Sequence, residues 1–173
     1  MGTAQTKKTD EQLRHTLHEM VESSRTIVLL TRGEDGKIVG RPMANVRTDE
    51  DTTVYLVTNI ESKKIDELRK DPRVSLSLQT RHGIAIIYGE FRISQDRKLI
   101  DELWEDQWSV WFEGGKHDPA IAILIVEPRE GTFWEQDLKS GVSYLWRMLK
   151  ARVTGETMEM KSTDQAKVDL RKS

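Results

Sequence analysis

Cysteine is absent from the 173 residues. That removes disulfides, thiolate metal sites and a cysteine nucleophile, and with them the small disulfide-stapled secreted domain. Proline is scarce, with four residues, so a proline inside a strand carries positional meaning. Neither sign of charge dominates: 27 Lys and Arg stand against 29 Asp and Glu, for a formal net charge of -2. A dedicated nucleic-acid binder usually shows a strongly basic stripe, which this balance argues against. No apolar run approaches the roughly 20 residues that cross a bilayer as a helix. Residues 1–8 have no apolar core of the kind a signal peptide needs. Several motifs are missing as well: no Gly-x-Gly-x-x-Gly follows a strand, and there is no P-loop, no Gly-x-Ser-x-Gly and no His-Glu-x-x-His. These absences leave the expectation of one soluble, cytoplasmic domain with neither nucleic-acid nor membrane partners.

The chain alternates short apolar segments with turn chemistry. Leu13, Leu17, Met20 and Val21 recur at helical spacing after Asp10, which can cap a first helix. A strand over 26–31 follows, then Asp35-Gly36 as a hairpin turn, then a strand over 37–47 interrupted by Pro42, which calls for an edge or a bulge. A third strand is expected over 53–58, a short helix over 62–70 stopped by Pro72, and a cleanly alternating strand over 74–79. A long strand over 83–94 precedes a helix capped by Asp96, whose inner face would carry Leu99, Ile100, Leu103 and Trp104. Trp108 and Trp111 would continue that helix, partly off the inner stripe. Strands over 121–126 and 132–134 complete the set. Residues 141–150 are amphipathic without a clear period, and from Ala151 the composition turns polar. The expected organisation is one domain over 1–150 and a polar tail over 151–173, loosely ordered or packed on a neighbour. Many short strands with few helices between them predict a mainly β, antiparallel barrel with peripheral helices.

Two segments carry candidate chemistry: Gly40-Arg41-Pro42-Met43-Ala44-Asn45-Val46 and Val57-Thr58-Asn59-Ile60-Glu61-Ser62-Lys63-Lys64. In the second, a strand end runs into a helix start, whose free amides and dipole form an anion site. Ser62 adds a hydroxyl. Lys63 and Lys64 place positive charge where the dipole prefers negative charge, which makes sense if an anion sits between them and the helix. Arg41 on a neighbouring strand could offer a forked donor to the same phosphate. The competing reading is a surface helix with two solvated lysines. His15 and His18, at i, i+3, lack a nearby third ligand and read as a solvated helix face, so no metal site is assigned. Asp101, Glu102, Glu105 and Asp106 likewise read as a water-facing surface.

These segments resemble those of the FMN-binding split-barrel proteins, the pyridoxamine-phosphate-oxidase-like superfamily, and within it the general stress protein 26 branch. The likeness runs from about Leu13 to Tyr144. It includes Arg41-Pro42-Met43, Thr58 to Lys64 with Glu67-Leu68, Asp71-Pro72-Arg73-Val74, Tyr88-Gly89, Asp96-Arg97, Glu102-Leu103-Trp104, Trp111-Phe112, Gly115, Asp118-Pro119 and Phe133-Trp134. The resemblance implies a six-stranded antiparallel Greek-key split barrel, working as a homodimer with flavin at the interface. The cofactor would be FMN, with FAD open as an alternative. Arg41, Pro42, Met43 and Ala44 match the strand beside the flavin, Val57 and Thr58 positions near its ring, and Ser62, Lys63 and Lys64 the phosphate turn. Trp134 matches a tryptophan that reaches the flavin from the partner chain. Trp111 and Phe112 are candidates for a flavin cover, against the commoner reading of aromatic packing.

The departures bear on activity. The oxidases carry a glutamine where this chain has Ile84, and an Arg-Leu-His-Asp-Arg segment near the position of Gly141-Val142-Ser143-Tyr144. Oxidation of pyridoxamine 5'-phosphate is therefore not expected, and no catalytic residue is assigned. Three readings follow. The first is a flavin-binding stress-type protein. The second is an oxidoreductase using NAD(P)H or a deazaflavin. The third is an interaction protein that uses the same barrel without cofactor.

Overall fold

A computed structural model describes residues 9–33, 35–135 and 165–171. Helix α1 (Asp10–Glu22) is capped by Thr9 rather than by Asp10: the Thr9 side chain accepts from the Gln12 amide, and the Gln12 side chain accepts from the Thr9 amide. This reciprocal capping box satisfies two orphan amides together. The sheet strands are β1 (Thr26–Arg32), β2 (Ile38–Thr48), β3 (Val54–Asn59), β4 (Arg73–Thr80), β5 (Gly83–Ser94), β6 (Ile121–Glu135) and β7 (Gln165–Asp169), with α2 (Lys63–Lys70) and α3 (Arg97–Leu103) between them. Every strand pairing is antiparallel, in the order β3-β2-β1-β4-β5-β6-β7, and β3 also pairs with β6. That last pairing closes six strands into the expected barrel. The connection through α2 carries the chain from β3 across to β4, which gives the Greek-key order.

The alternation of side chains sorts residues to two layers. Leu29, Leu56, Leu76, Ile87, Leu124 and Phe133 fill the barrel interior, joined by Ile65 and Leu68 from α2 and Leu17, Met20 and Val21 from α1. A second apolar cluster lies outside β3 and β6, where Tyr55, Val57, Ile121, Ile123 and Ile125 pack against Ile100, Leu103, Trp108 and Phe112. Arg47 ties this layer down: its guanidinium stacks 3.9 Å from the Tyr55 ring and donates to Glu102 at 2.9 Å.

Three expectations need correction. The tryptophans do not share one α-helix. The helix ends at Leu103 and a 3-10 turn over Asp106–Val110 follows. The change of direction buries Trp108 at 1% exposure, leaves Trp104 half-buried and turns Trp111 out at 63%. Residues 121–126 and 132–134 belong to one continuous strand, β6. It bends through a register shift opposite Tyr88 and Gly89, where a Cβ on Gly89 would collide with the Glu127 carbonyl. Within the polar C-terminal segment, residues 165–169 form β7 along the outer half of β6, and Val168 and Leu170 are buried in the core. Residues 141–150 and 151–164 lie outside the described residues. No helix among those described is long and apolar enough to cross a membrane.

Candidate functional site

Strands β2 and β3 part company halfway along. Their register runs from Thr48–Val54 to Asn45–Leu56 through a bulge and stops there. Beyond it, Ile38 to Ala44 pair only with β1, and Val57, Thr58 and Asn59 pair only with β6. Pro42 sits opposite Val28 in this one-sided stretch, where its missing N–H interrupts no second ladder. The barrel wall is therefore split between Arg41-Pro42-Met43-Ala44 and Val57-Thr58.

At the end of this split, β3 turns into α2. The Asn59 carbonyl accepts from both the Ser62 amide and the Ser62 hydroxyl, the latter at 2.7 Å. Ser62 stands at the N-cap but makes no side-chain cap bond, which leaves first-turn amides free for an anion. The Lys64 ammonium reaches back into this turn. It donates to Thr58 Oγ1 at 2.9 Å and to Ser62 Oγ at 3.0 Å, and no carboxylate pairs with it among the described residues. Burial, then the nearby Arg41 charge, push the Lys64 pKa below the ordinary lysine value, with Glu67 opposing them. Lys64 is thus a half-buried cation held by two hydroxyls and crowded by a second cation, an arrangement in which a nearby anion would favour its charged form. Lys63 is exposed.

Arg41 lies on the interior side of β2, beneath α2. It donates to Thr31 Oγ1 at 2.7 Å and to Glu67 at 2.8 Å, and the Thr31 hydroxyl donates to Glu67 at 2.9 Å. Glu67 is 4% exposed. The sequence offered Arg41 as a free fork, gave Glu67 only as part of the resemblance and did not single out Thr31. The signal was present in the i, i+3 spacing from Lys64 to Glu67 on one helix, which puts both on the same face.

The other candidates are distributed as follows. Met43 is buried in the barrel core, Pro42 is exposed, and Ala44 packs against the second cluster. Val57 and Phe112 are buried together in that cluster, whereas Trp111 points to solvent. Trp134 is half-exposed opposite Ile84 on the outer face of the sheet. It stands 12 residues along β6 from Ala122, the partner of Thr58, on the other side of the β6 bend. The structure thus brings Arg41, Thr58, Ser62 and Lys64 together and leaves Trp134 far along the barrel. No group of three His, Asp or Glu able to hold a metal occurs among the described residues. His15 and His18 instead sit 3.6 and 3.8 Å from Glu19 and Glu22.

Comparison with known proteins agrees with this architecture. Residues 12–159 match the family model "Pyridoxamine 5'-phosphate oxidase like". The chain belongs to that family. Among its relatives, general stress protein 26 of Bacillus subtilis (strain 168) is 29% identical over 111 residues, covering 60% of this chain and 79% of that protein. A solved structure from Jannaschia sp. CCS1, assigned to general stress protein 26, is 26% identical with a TM-score of 0.65, covering 93% of this chain and 99% of the other. The general stress FMN/FAD binding protein of Xanthomonas citri is 27% identical with a TM-score of 0.63, covering 73% and 91%.

Proposed function

We propose that the split between β2 and β3 holds a flavin whose phosphate binds the turn formed by Thr58, Ser62 and Lys64, with Arg41 behind it. The observation that carries this reading is the Lys64 ammonium: half-buried, bonded to two hydroxyls and to no other group among the described residues, and facing a helix start without a side-chain cap. The Xanthomonas relative's FMN/FAD binding supports the same cofactor class. A bound flavin supplies redox chemistry; the chain's own residues position it and set its electrostatics. In this reading Lys64 and the Ser62 hydroxyl hold the phosphate, Lys63 adds a screened surface charge, and Met43, Ala44 and Val57 border the ring. Binding is proposed for these residues, and none of them is assigned a catalytic role.

A second copy of the chain completes the proposed site. Val28, Ile38, Ile84, Tyr88 and Trp134 are large apolar side chains exposed on the outer sheet. An open depression of about 540 Å³ on that face is bordered by Leu30, Ile38 and Tyr88 together with the charged Arg32, Arg73 and Glu90, and Lys64 is not part of it. Such a surface suits a homodimer, and only from a partner could Trp134 approach the phosphate turn. Equilibrium titration of the protein with FMN and with riboflavin tests the reading. Saturable binding of FMN, at least about tenfold tighter than riboflavin, is expected from one charge-assisted phosphate contact. Equal affinities would remove the phosphate assignment.

A further inference from the structure

One helical turn beyond the proposed phosphate turn, α2 carries a carboxylate, Glu67. Glu67 is almost fully buried, and its two oxygens are taken by Arg41 and Thr31. Lys64 stands one helical turn away and feels the charges of both Arg41 and Glu67. Lys63 is exposed, so water and salt screen its charge. The enclosed charges at the site are then Arg41 and Lys64 against Glu67, a net charge of plus one. This count matters because phosphate esters differ in charge. A monoester such as that of FMN carries close to two negative charges above its second pKa of about 6. Each phosphate of a pyrophosphate diester such as FAD carries one.

We propose that Glu67 is a specificity-determining residue: by cancelling Arg41 inside the turn, it matches the site to a singly charged phosphodiester and removes the advantage a doubly charged phosphomonoester would otherwise have. The inference rests on the flavin-phosphate reading above. Glu67 acts through Arg41 and Lys64 as a positioning and charge-setting group and does not itself touch the ligand. The Thr31 hydroxyl, accepting from Arg41 and donating to Glu67, fixes the pair in one geometry, so Arg41 cannot swing free to add its full charge to an incoming phosphate.

The test is the ratio of FMN to FAD affinity at pH 8, in which any steric effect of the adenosine half cancels between variants. Riboflavin serves as the phosphate-free baseline. Glu67→Gln brings the enclosed count to plus two, and Lys64→Gln brings it to zero. The FMN to FAD ratio is expected to rise at least about tenfold in Glu67→Gln and to fall at least about fivefold in Lys64→Gln, as close charges in a partly dry site should produce. Should Glu67→Gln fail to fold, Lys64→Gln alone decides, because it disturbs no buried pair. Ratios that stay within threefold of the unsubstituted protein, while FMN still outbinds riboflavin, overturn the role of Glu67 and leave the phosphate site standing. Riboflavin binding as tightly as FMN, or no flavin binding at all, overturns the phosphate reading and this proposal together.

Discussion

Replacing Lys64 by methionine separates binding from folding. The side chain keeps its length and its apolar stem, and it loses the ammonium that donates to Thr58 and Ser62. Two effects on the free protein oppose each other. Two hydrogen bonds from a charged donor disappear, worth about 1.5–3 kcal/mol each at most. The unfavourable charge goes too. Because burial and Arg41 lower the folded pKa of Lys64 below its unfolded value, the folded state binds fewer protons than the unfolded state between those two values. The charged form is thus a burden at neutral pH that lifts only as pH rises toward the ordinary lysine value. Thr58 and Ser62 keep other acceptors in the Asn59 carbonyl, so neither hydroxyl is stranded. The net change in stability is expected to lie within about 1 kcal/mol of zero. Affinity behaves differently, since the phosphate loses a partly desolvated charge-assisted contact of about 1.5–3 kcal/mol, or roughly 10- to 150-fold in Kd. Flavin fluorescence titration should show FMN weakened by that factor in Lys64→Met and riboflavin changed less than about threefold. Chemical denaturation should give an unchanged slope and a midpoint close to the original. If FMN and riboflavin weakened equally, or FMN affinity were untouched, the reasoning from the Lys64 ammonium would be wrong.

Other consequences follow from packing. Trp108→Ala should destabilise the protein by about 3–5 kcal/mol, whereas Trp111→Ala, on an exposed side chain, should stay within about 0.5 kcal/mol in the same denaturation series. Gly89→Ala sets a methyl group against the Glu127 carbonyl at the β5–β6 bulge, and a loss of about 1–3 kcal/mol by thermal unfolding is expected. A chain ended after residue 164 loses β7 with the buried Val168 and Leu170; burial of two such side chains is worth about 3–6 kcal/mol, so its denaturation midpoint should fall sharply. A midpoint that does not move would show that β7 is not part of the cooperative unit.

The barrel was legible because its code is local. Val74-Ser75-Leu76-Ser77-Leu78 alternates with a period of two, and the odd and even positions divide between core and surface as a half-buried strand requires. The candidate turn could be picked out for a similar reason: Ser62, Lys63 and Lys64 lie within one helical turn, and the misfit between their charge and the dipole needs no tertiary knowledge; that it binds a phosphate is the proposal. What escaped depends on long-range contacts. Strand β7 and the residue after it bring two buried apolar side chains, Val168 and Leu170, and the strand's place is fixed by β6, which lies 30 residues or more upstream. The break after Leu103 has no proline or glycine to announce it, and Trp108 rather than Trp104 becomes the buried anchor because the turn re-aims it into the cluster that also holds Phe112. Arg41 and Glu67 are 26 residues apart; composition shows two charges, and only the fold shows that they neutralise each other beside Lys64.

The central claim is that this chain carries a flavin phosphate at the β3–α2 turn. Purified protein mixed with excess FMN and passed through gel filtration, with the visible spectrum recorded across the protein peak, tests it most directly. Flavin absorbance is expected to travel with the protein at about one FMN per chain in a peak of dimer size, with FMN recovered after denaturation. Flavin that elutes entirely at the small-molecule volume, with a bare protein peak, would contradict it.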